Sequence, residues 1–402
     1  MSSGSKWSIK KLRDRVQATF TKRPCLWQIR VAQSLREKKN DVVLVAATGS
    51  GKTLSFWMPL LMALEEGEDK FIIIITPLNV LGKQNVEILA KAGISGVAID
   101  SSNNTDETFK DVEAIRHRVV VVNPEIIMDQ NGHFEKLWRK PEFTSKLLYV
   151  VFDEAHCVSE WSSFRSQYKH IGSIRYMIPD TVPFLVASAT LAAPVLADVV
   201  EILQLRISHI DYILRSNDRQ DIHLTVRRML HPACSFNDLN FLIPDEFKDG
   251  GAPPPKFLVF FDSIKEAEDA VKHLRNRLPG GVRGKIKYFH SVMTPHYRTA
   301  EYEALRDDQI WGLCVTDSFG MGLDIPDIKV VVQWKATCNI TTLWQRLGRA
   351  ARGYGQEGIG IILVPPNLFD SERDKAKQRS EKRQEKAQGK KRKRKHNKTD
   401  PP

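Results

Sequence analysis

The chain reads as an α/β protein of two parallel-sheet lobes in tandem, closed by a disordered basic C-terminal tail. Short runs that are apolar at every position recur at 42–46, 71–75, 119–122, 147–152 and 183–187. Such runs suit strands covered on both faces, as in a parallel sheet flanked by helices. Between them lie stretches of helical spacing, for example 54–64 and 83–91, so strand and helix alternate. A second series of strand-like runs, at 222–229, 257–261, 286–289, 312–315, 330–333 and 359–364, predicts a second lobe of the same class. The length of 402 residues agrees, since it exceeds one ordinary domain and suits two of about 150 to 200 residues with a tail. The expected boundaries are 1–214 for the first lobe, 215–369 for the second and 370–402 for the tail. The polar stretch 215–221 is the expected hinge. Residues 244–255, with Gly250-Gly251 and three consecutive prolines, read as a surface insertion in the second lobe.

Composition narrows the function classes. With 42% hydrophobic and 27% charged residues the chain suits a globular protein, and no apolar run approaches the roughly 18 residues of a membrane span. The N-terminal eleven residues are polar and carry no stretch of secretory type, so a reducing compartment is expected. The five cysteines (Cys25, Cys157, Cys234, Cys314, Cys338) form no C-x-x-C pair and are expected to be buried free thiols, with neither a zinc site nor disulfides. The net charge of +12 is uneven. Residues 370–402 hold 14 Lys/Arg against 6 Asp/Glu, or +8, which leaves +4 for the first 369 residues. A polyanion partner is favoured by that tail, and the body needs local evidence of its own.

That evidence begins after the first strand, where Ala46-Ala47-Thr48-Gly49-Ser50-Gly51-Lys52-Thr53 leads into an apolar helix. Strand, glycine turn and helix bring backbone N–H groups and a helix N-terminus around a phosphate, with Lys52 in reach of the β/γ-phosphates and Thr53 able to ligate Mg²⁺. The strict pattern has glycine where Ala46 stands. About 100 residues on, the apolar strand 147–152 ends in Asp153-Glu154-Ala155-His156. Carboxylates at the end of a buried strand are what a metal ion and an attacking water require: one acid for the metal's shell and one to orient or deprotonate the nucleophile.

At this point the chain resembles a superfamily 2 helicase, and the resemblance runs from about residue 20 to residue 364. It implies two RecA-like lobes with ATP and Mg²⁺ in the cleft and nucleic acid across both. By that resemblance Thr76-Pro77-Leu78 and Val122-Asn123-Pro124-Glu125 look like segments that grip the nucleic-acid backbone, and Ser188-Ala189-Thr190 looks like the segment coupling hydrolysis to lobe movement. In the second lobe, the stretch from Thr316 to Asp324 is similar to the family's motif V, whose Thr contacts nucleic acid and whose Asp faces the ribose. Gln345-Arg346-Leu347-Gly348-Arg349-Ala350-Ala351-Arg352 follows. Arg349 and Arg352 stand three apart, so on a helix they share a face and both can point at a γ-phosphate.

The stretch after His156 narrows the resemblance to RecQ-type DNA helicases. Cys157 to Tyr168 is similar to their aromatic-rich loop, which senses single-stranded DNA: Trp161 and Phe164 offer stacking faces and Arg165 a phosphate contact. The spacing from Trp161 to Phe164 is one residue shorter than in that family, and packing of these rings into the lobe core is the alternative. Upstream, Arg23-Pro24-Cys25-Leu26-Trp27-Gln28 resembles the motif in which an amide reads adenine, here Gln28; an exposed helix glutamine is the bland alternative. RecQ proteins commonly follow the second lobe with zinc-binding and winged-helix modules, yet no cysteine follows Cys338. Single-strand translocation is therefore expected before efficient unwinding, and a protein partner is a candidate source of those modules.

The resulting expectation is an ATP-dependent DNA helicase or translocase moving 3′ to 5′, its ATPase formed by Lys52, Thr53, Asp153, Glu154, Arg349 and Arg352. The rivals are an RNA-dependent ATPase and a nucleic-acid-binding protein that no longer hydrolyses ATP. The basic run 390–395 suits a nuclear import signal, hence a nuclear protein, and equally a phosphate-binding tail.

Overall fold

The computed structural model describes residues 7–77, 79–162, 165–245, 247–248, 250–319, 325–353, 355–375 and 377–378. Most of the basic tail, and all of its 390–395 run, therefore lie outside the described residues. The chain divides into two compact units between Gln220 and Asp221.

The first unit holds a seven-stranded sheet: β1 (Asp41–Val45), β2 (Phe71–Ile75), β3 (Gly96–Ile99), β4 (Val119–Val122), β5 (Leu147–Phe152), β6 (Phe184–Ser188) and β7 (Ile210–Leu214), in the order β3-β4-β2-β5-β6-β1-β7. Every pairing is parallel. The unbroken apolar runs follow from burial on both faces. Val43, Ile73 and Val150 belong to one core cluster and Val42, Ile72 and Val151 to the other. The helix Lys52–Glu65 is buried over most of its length, which matches its nearly all-apolar sequence. The edge strands β3 and β7 escape the apolar-run criterion because each is only partly covered, so Gly96, Asp211 and Tyr212 are tolerated there.

The first unit extends six residues beyond the expected boundary at 214/215. Arg215 N donates to Val45 O at 2.7 Å, continuing the ladder of β7 with β1, so the segment through Gln220 stays with the first sheet.

The second unit holds a six-stranded sheet, again all parallel: β8 (Ile222–Arg228), β9 (Phe257–Phe260), β10 (Ile286–Phe289), β11 (Gly312–Val315), β12 (Val330–Trp334) and β13 (Gly358–Val364), in the order β10-β11-β9-β12-β13-β8. Gly312 is required by close approach, because a Cβ there would lie 2.3 Å from the Phe257 ring. The described part of 244–255 contains no strand or helix, and Phe247 anchors it edge-on against Trp311, with ring centroids 5.3 Å apart. Two cysteines, Cys157 and Cys314, are buried as expected; Cys25 and Cys234 are exposed and Cys338 is intermediate, so burial does not explain all five. Cys25 caps the helix Leu26–Glu37 with its backbone and leaves its thiol outside. No described helix is long and apolar enough to cross a membrane.

One buried charge anchors the first sheet. Asp41, fully buried at the start of β1, accepts from Arg175 Nη2 and Arg206 Nη2, both at 2.8 Å, and from the N–H groups of Phe184 and Arg206 at 2.8 and 2.9 Å. Burial alone would raise its pKa, but the bonds to Arg206, Phe184 and Arg175 outweigh that and hold it below the usual carboxylate value. Because the folded-state pKa is depressed, the stabilisation is full above the unfolded value and fades as pH falls through the folded one. Asp41→Asn should therefore cost about 3 kcal/mol in urea unfolding at pH 7. The penalty should shrink towards pH 3. An equal penalty at both pH values would contradict the ion-pair assignment.

Candidate functional site

Parallel pairing puts the ends of β1, β6 and β5 side by side, and each carries one of the motifs singled out above. β1 runs into the glycine turn. Gly49 and Gly51 adopt φ of 82° and 83°, left-handed values that favour glycine, and Gly51 caps the helix Lys52–Glu65. Ala46 replaces a glycine without strain. It is buried in the core, its N–H donates to Ser188 O at 3.2 Å in extension of the β1–β6 ladder, and it is absent from the positive-φ residues. Lys52 Nζ donates to Ala46 O at 2.8 Å and Ala47 O at 3.3 Å. Thr53, next along the helix, is half-buried.

Gln28 is not the exposed helix glutamine of the bland alternative. It is 3% exposed, and its amide is engaged at both ends: Oε1 accepts from Cys25 N at 2.7 Å, and Nε2 donates to Gly51 O at 2.8 Å. The residue that resembles an adenine reader thus also braces the glycine turn.

β5 ends in the carboxylate pair. Asp153 N donates to Ile75 O at 2.9 Å, and Glu154 N donates to Asp153 Oδ1 at 3.0 Å. Glu154 sits at φ 48°, a left-handed value uncommon for a residue with a side chain and typical of strained functional turns. Burial and the neighbouring Glu154 push the Asp153 pKa up to about 7, against the pull of Lys52. Glu154 Oε2 is buried without a hydrogen-bond partner; His156 Nδ1 stands 3.5 Å away. Adjacent acids with one buried carboxylate oxygen lacking a hydrogen-bond partner, and Thr53 at the start of the helix after the glycine turn, fit a magnesium ion that arrives with a triphosphate. Among the described residues no three His, Cys, Asp or Glu side chains cluster as a metal cage.

β5 and β6 are joined at these ends by side chains. His156, 3% exposed, places Nδ1 3.0 Å from Ser188 Oγ and Nε2 3.4 Å from Cys157 Sγ. Ser188 Oγ donates to Thr190 O at 3.0 Å, so the proton between His156 and Ser188 belongs to Nδ1. The Ser-Ala-Thr segment is thereby wired to the carboxylate turn, a link that spacing alone does not reveal.

The aromatic loop lies over the same unit. Trp161 is partly buried against the core that includes β5, with Arg165 Cζ 4.4 Å from its ring centroid and the Tyr168 ring edge-on at 5.9 Å. Arg165 also pairs with Glu125 at 3.2 Å. Asn123 accepts from Ile126 N at 2.9 Å, capping the short helix Pro124–Ile127. Two residues of one expected backbone-gripping segment thus have a structural task, Asn123 as a helix cap and Glu125 as the counter-ion of Arg165. Thr76 and Pro77 are buried at the end of β2, and the Thr76 hydroxyl has no hydrogen-bond partner. Leu78, Phe164 and the segment Gly320–Asp324, including Asp324, lie outside the described residues.

In the second unit Thr316 N donates to Phe289 O at 3.2 Å, and its hydroxyl is 3.2 Å from Ser318 Oγ. The two arginines do not share a helix face. The helix Ile340–Leu347 ends before them, and Ala351 turns left-handed at φ 50°. Arg349 is 5% exposed, whereas Arg352 is half-exposed with Nε donating to Gly348 O at 3.3 Å. The residue that sequence reasoning passed over is Arg346. It is 2% exposed and donates to Gln333 Oε1, Asp262 Oδ1 and Asp317 Oδ1, each at 2.7 Å, tying β12 and the turns after β9 and β11 together. A buried arginine between Gln345 and Leu347, with acids after two strands, was the available signal.

Comparison with known proteins agrees with this geometry. Residues 26–199 match the DEAD/DEAH box helicase family and residues 242–354 the Helicase conserved C-terminal domain. RecS of Bacillus subtilis, named a probable ATP-dependent DNA helicase, is 27% identical over 333 residues, which cover 82% of this chain and 62% of RecS. The R290 protein of Acanthamoeba polyphaga mimivirus, named as an ATP-dependent RNA helicase, is 29% identical over 315 residues, covering 78% of this chain and 53% of its own. Against such relatives the chain spans little more than half their length. Saccharomyces cerevisiae Dbp5, solved with RNA and ADP BeF3, shares the fold with a TM-score of 0.65 at 18% identity, covering 88% of this chain and 87% of Dbp5. The chain carries a DEAD/DEAH box helicase domain followed by a Helicase conserved C-terminal domain, with RecQ-family proteins among its relatives.

Proposed function

We propose that the chain is an ATP-driven DNA motor of RecQ type, moving 3′ to 5′ on single strands and using that movement to separate them. The supporting observation is the juxtaposition of the glycine turn on β1 and the carboxylate pair on β5, either side of β6, with a buried carboxylate oxygen lacking a protein partner. In this reading the N–H groups of Thr48, Gly49, Ser50 and Gly51 and the Lys52 ammonium hold the phosphates, and Gln28 faces the base. Thr53 and Asp153 hold Mg²⁺, which when bound neutralises phosphate charge and orients the triphosphate. Glu154 takes the proton of the attacking water. Arg349 and Arg352 supply positive charge to the transferring phosphoryl group, and Asp324 faces the ribose. Trp161, Phe164 and Arg165 report single-stranded DNA, with Thr76, Pro77 and Thr316 on its backbone. The run 390–395 directs the protein to the nucleus.

RNA is the second reading, favoured by the RNA-helicase name of the mimivirus relative. Phosphate release measured with single-stranded DNA and with RNA of the same sequence separates the two. DNA should stimulate turnover more strongly; the reverse order would transfer the assignment to RNA.

Glu154→Gln preserves volume and hydrogen bonding but removes the base, so it should bind ATP and DNA and turn over at least about a hundredfold more slowly. Lys52→Ala should instead weaken nucleotide binding as well. Turnover by folded Glu154→Gln near the parental rate would assign the water to another group.

Arginine groups that stabilise a transferring phosphoryl are worth roughly 10³ to 10⁵ in rate. Arg352→Ala should fall within that range while ATP affinity changes much less, and Arg352→Lys should rescue poorly because an ammonium lacks the planar fork. Rates within a few-fold of the parent for both variants would return the role to Arg349 or remove it.

A further inference from the structure

The last residues of the first unit make a bond that no motif anticipates. Arg219 Nη1 donates to Thr48 O at 3.0 Å. Arg215 N binds Val45 O at 2.7 Å, and Asp218 N binds Ser216 Oγ at 3.1 Å, so the connection leaves the sheet beside β1 and turns back onto the glycine loop at the end of that same strand. Both bonding partners lie in the first unit, and the second unit begins two residues later, at Asp221.

Peptide geometry gives this bond a consequence. In a trans peptide the carbonyl and the following N–H point in opposite directions, and among the described residues there is no cis peptide. A guanidinium that fixes Thr48 O therefore fixes the N–H of Gly49, directed away from Arg219. Gly49, at φ 82°, has no side chain to restrict rotation, so this peptide is among the easiest in the loop to turn. Three other loop carbonyls are held in the same manner: Gly51 O by Gln28 Nε2 at 2.8 Å, and Ala46 O and Ala47 O by Lys52 Nζ at 2.8 and 3.3 Å. Lys52 is the clamp that the ATP reading transfers to phosphate. Arg219 and Gln28 are then the side chains left to hold the loop's carbonyls.

We propose that Arg219 is a positioning residue for ATP hydrolysis: it presents the Gly49 N–H to phosphate and makes the connection to the second lobe respond to nucleotide. The inference rests on the ATP reading above and deepens it. Loss of one charge-assisted hydrogen bond predicts roughly tenfold weaker nucleotide binding.

The test is amide hydrogen exchange on the full chain, with and without Mg²⁺ and a non-hydrolysable ATP analogue, followed in the loop (46–54) and the connection (212–222). In the parent, nucleotide should slow exchange in both segments. In Arg219→Ala at saturating analogue, the loop should still respond and the connection should not. Arg219→Lys keeps the charge with a single donor and should restore part of the connection's response; it also carries the test if the alanine variant does not fold. A connection that responds as strongly in the variants as in the parent overturns the proposal, as does a parent whose loop responds while its connection does not. A parent whose loop shows no response removes the ATP reading itself, and this inference with it.

Discussion

Parallel pairing is the constraint on which the arrangement depends. Because every strand in each sheet runs the same way, each strand-to-helix turn emerges at one edge, and residues far apart in sequence are forced into neighbouring turns. The glycine turn after β1, the Ser-Ala-Thr segment after β6 and the carboxylate turn after β5 occupy adjacent positions although about 100 residues separate the first from the last. The order within the sheet is held partly by Asp41, whose carboxylate binds β1 to the N–H of Phe184 in β6 and to two arginines. The Asp41 cluster holds the pairing at one end of β1 so that the turn at the other end can carry chemistry.

The electrostatics of that edge divide into satisfied and unsatisfied parts. Cys157, His156, Ser188 and the Thr190 carbonyl form a chain of hydrogen bonds that ties the carboxylate turn to β6. The carboxylates themselves are left in tension: Asp153 is pushed towards protonation by burial and by Glu154, and one Glu154 oxygen has no hydrogen-bond partner. Two adjacent acids at the end of a buried strand, one of them with a carboxylate oxygen that no hydrogen bond satisfies, suit a cation from outside. The second unit uses charge differently. Arg346 joins three strand ends, and Arg349 and Arg352 lie beyond the helix that carries it.

Much of this was legible in the sequence because parallel strands buried on both faces leave unbroken apolar runs, and eleven of the thirteen strands among the described residues were expected within about a residue at each end. For the edge strands β3 and β7 the same signal fails: their exposed faces admit Gly96, Asp211 and Tyr212. Motif residues such as Lys52, Asp153 and His156 could be located by position after a strand. What they bond to could not. Gln28 was read for its amide but not for its grip on Gly51, and Arg219 lay unnoticed in a polar stretch. Spacing misled at Arg349 and Arg352, where helical periodicity was assumed past a helix that stops at Leu347.

The account turns on the claim that Asp153 and Glu154 await a cation that comes with nucleotide. Manganese, a magnesium substitute visible by electron paramagnetic resonance, tests it directly. Titrated into the full chain, Mn²⁺ should remain free without nucleotide and bind one per chain when a non-hydrolysable ATP analogue is present, with Asp153→Asn weakening that binding. Tight stoichiometric binding without nucleotide, or none with it, would contradict the account.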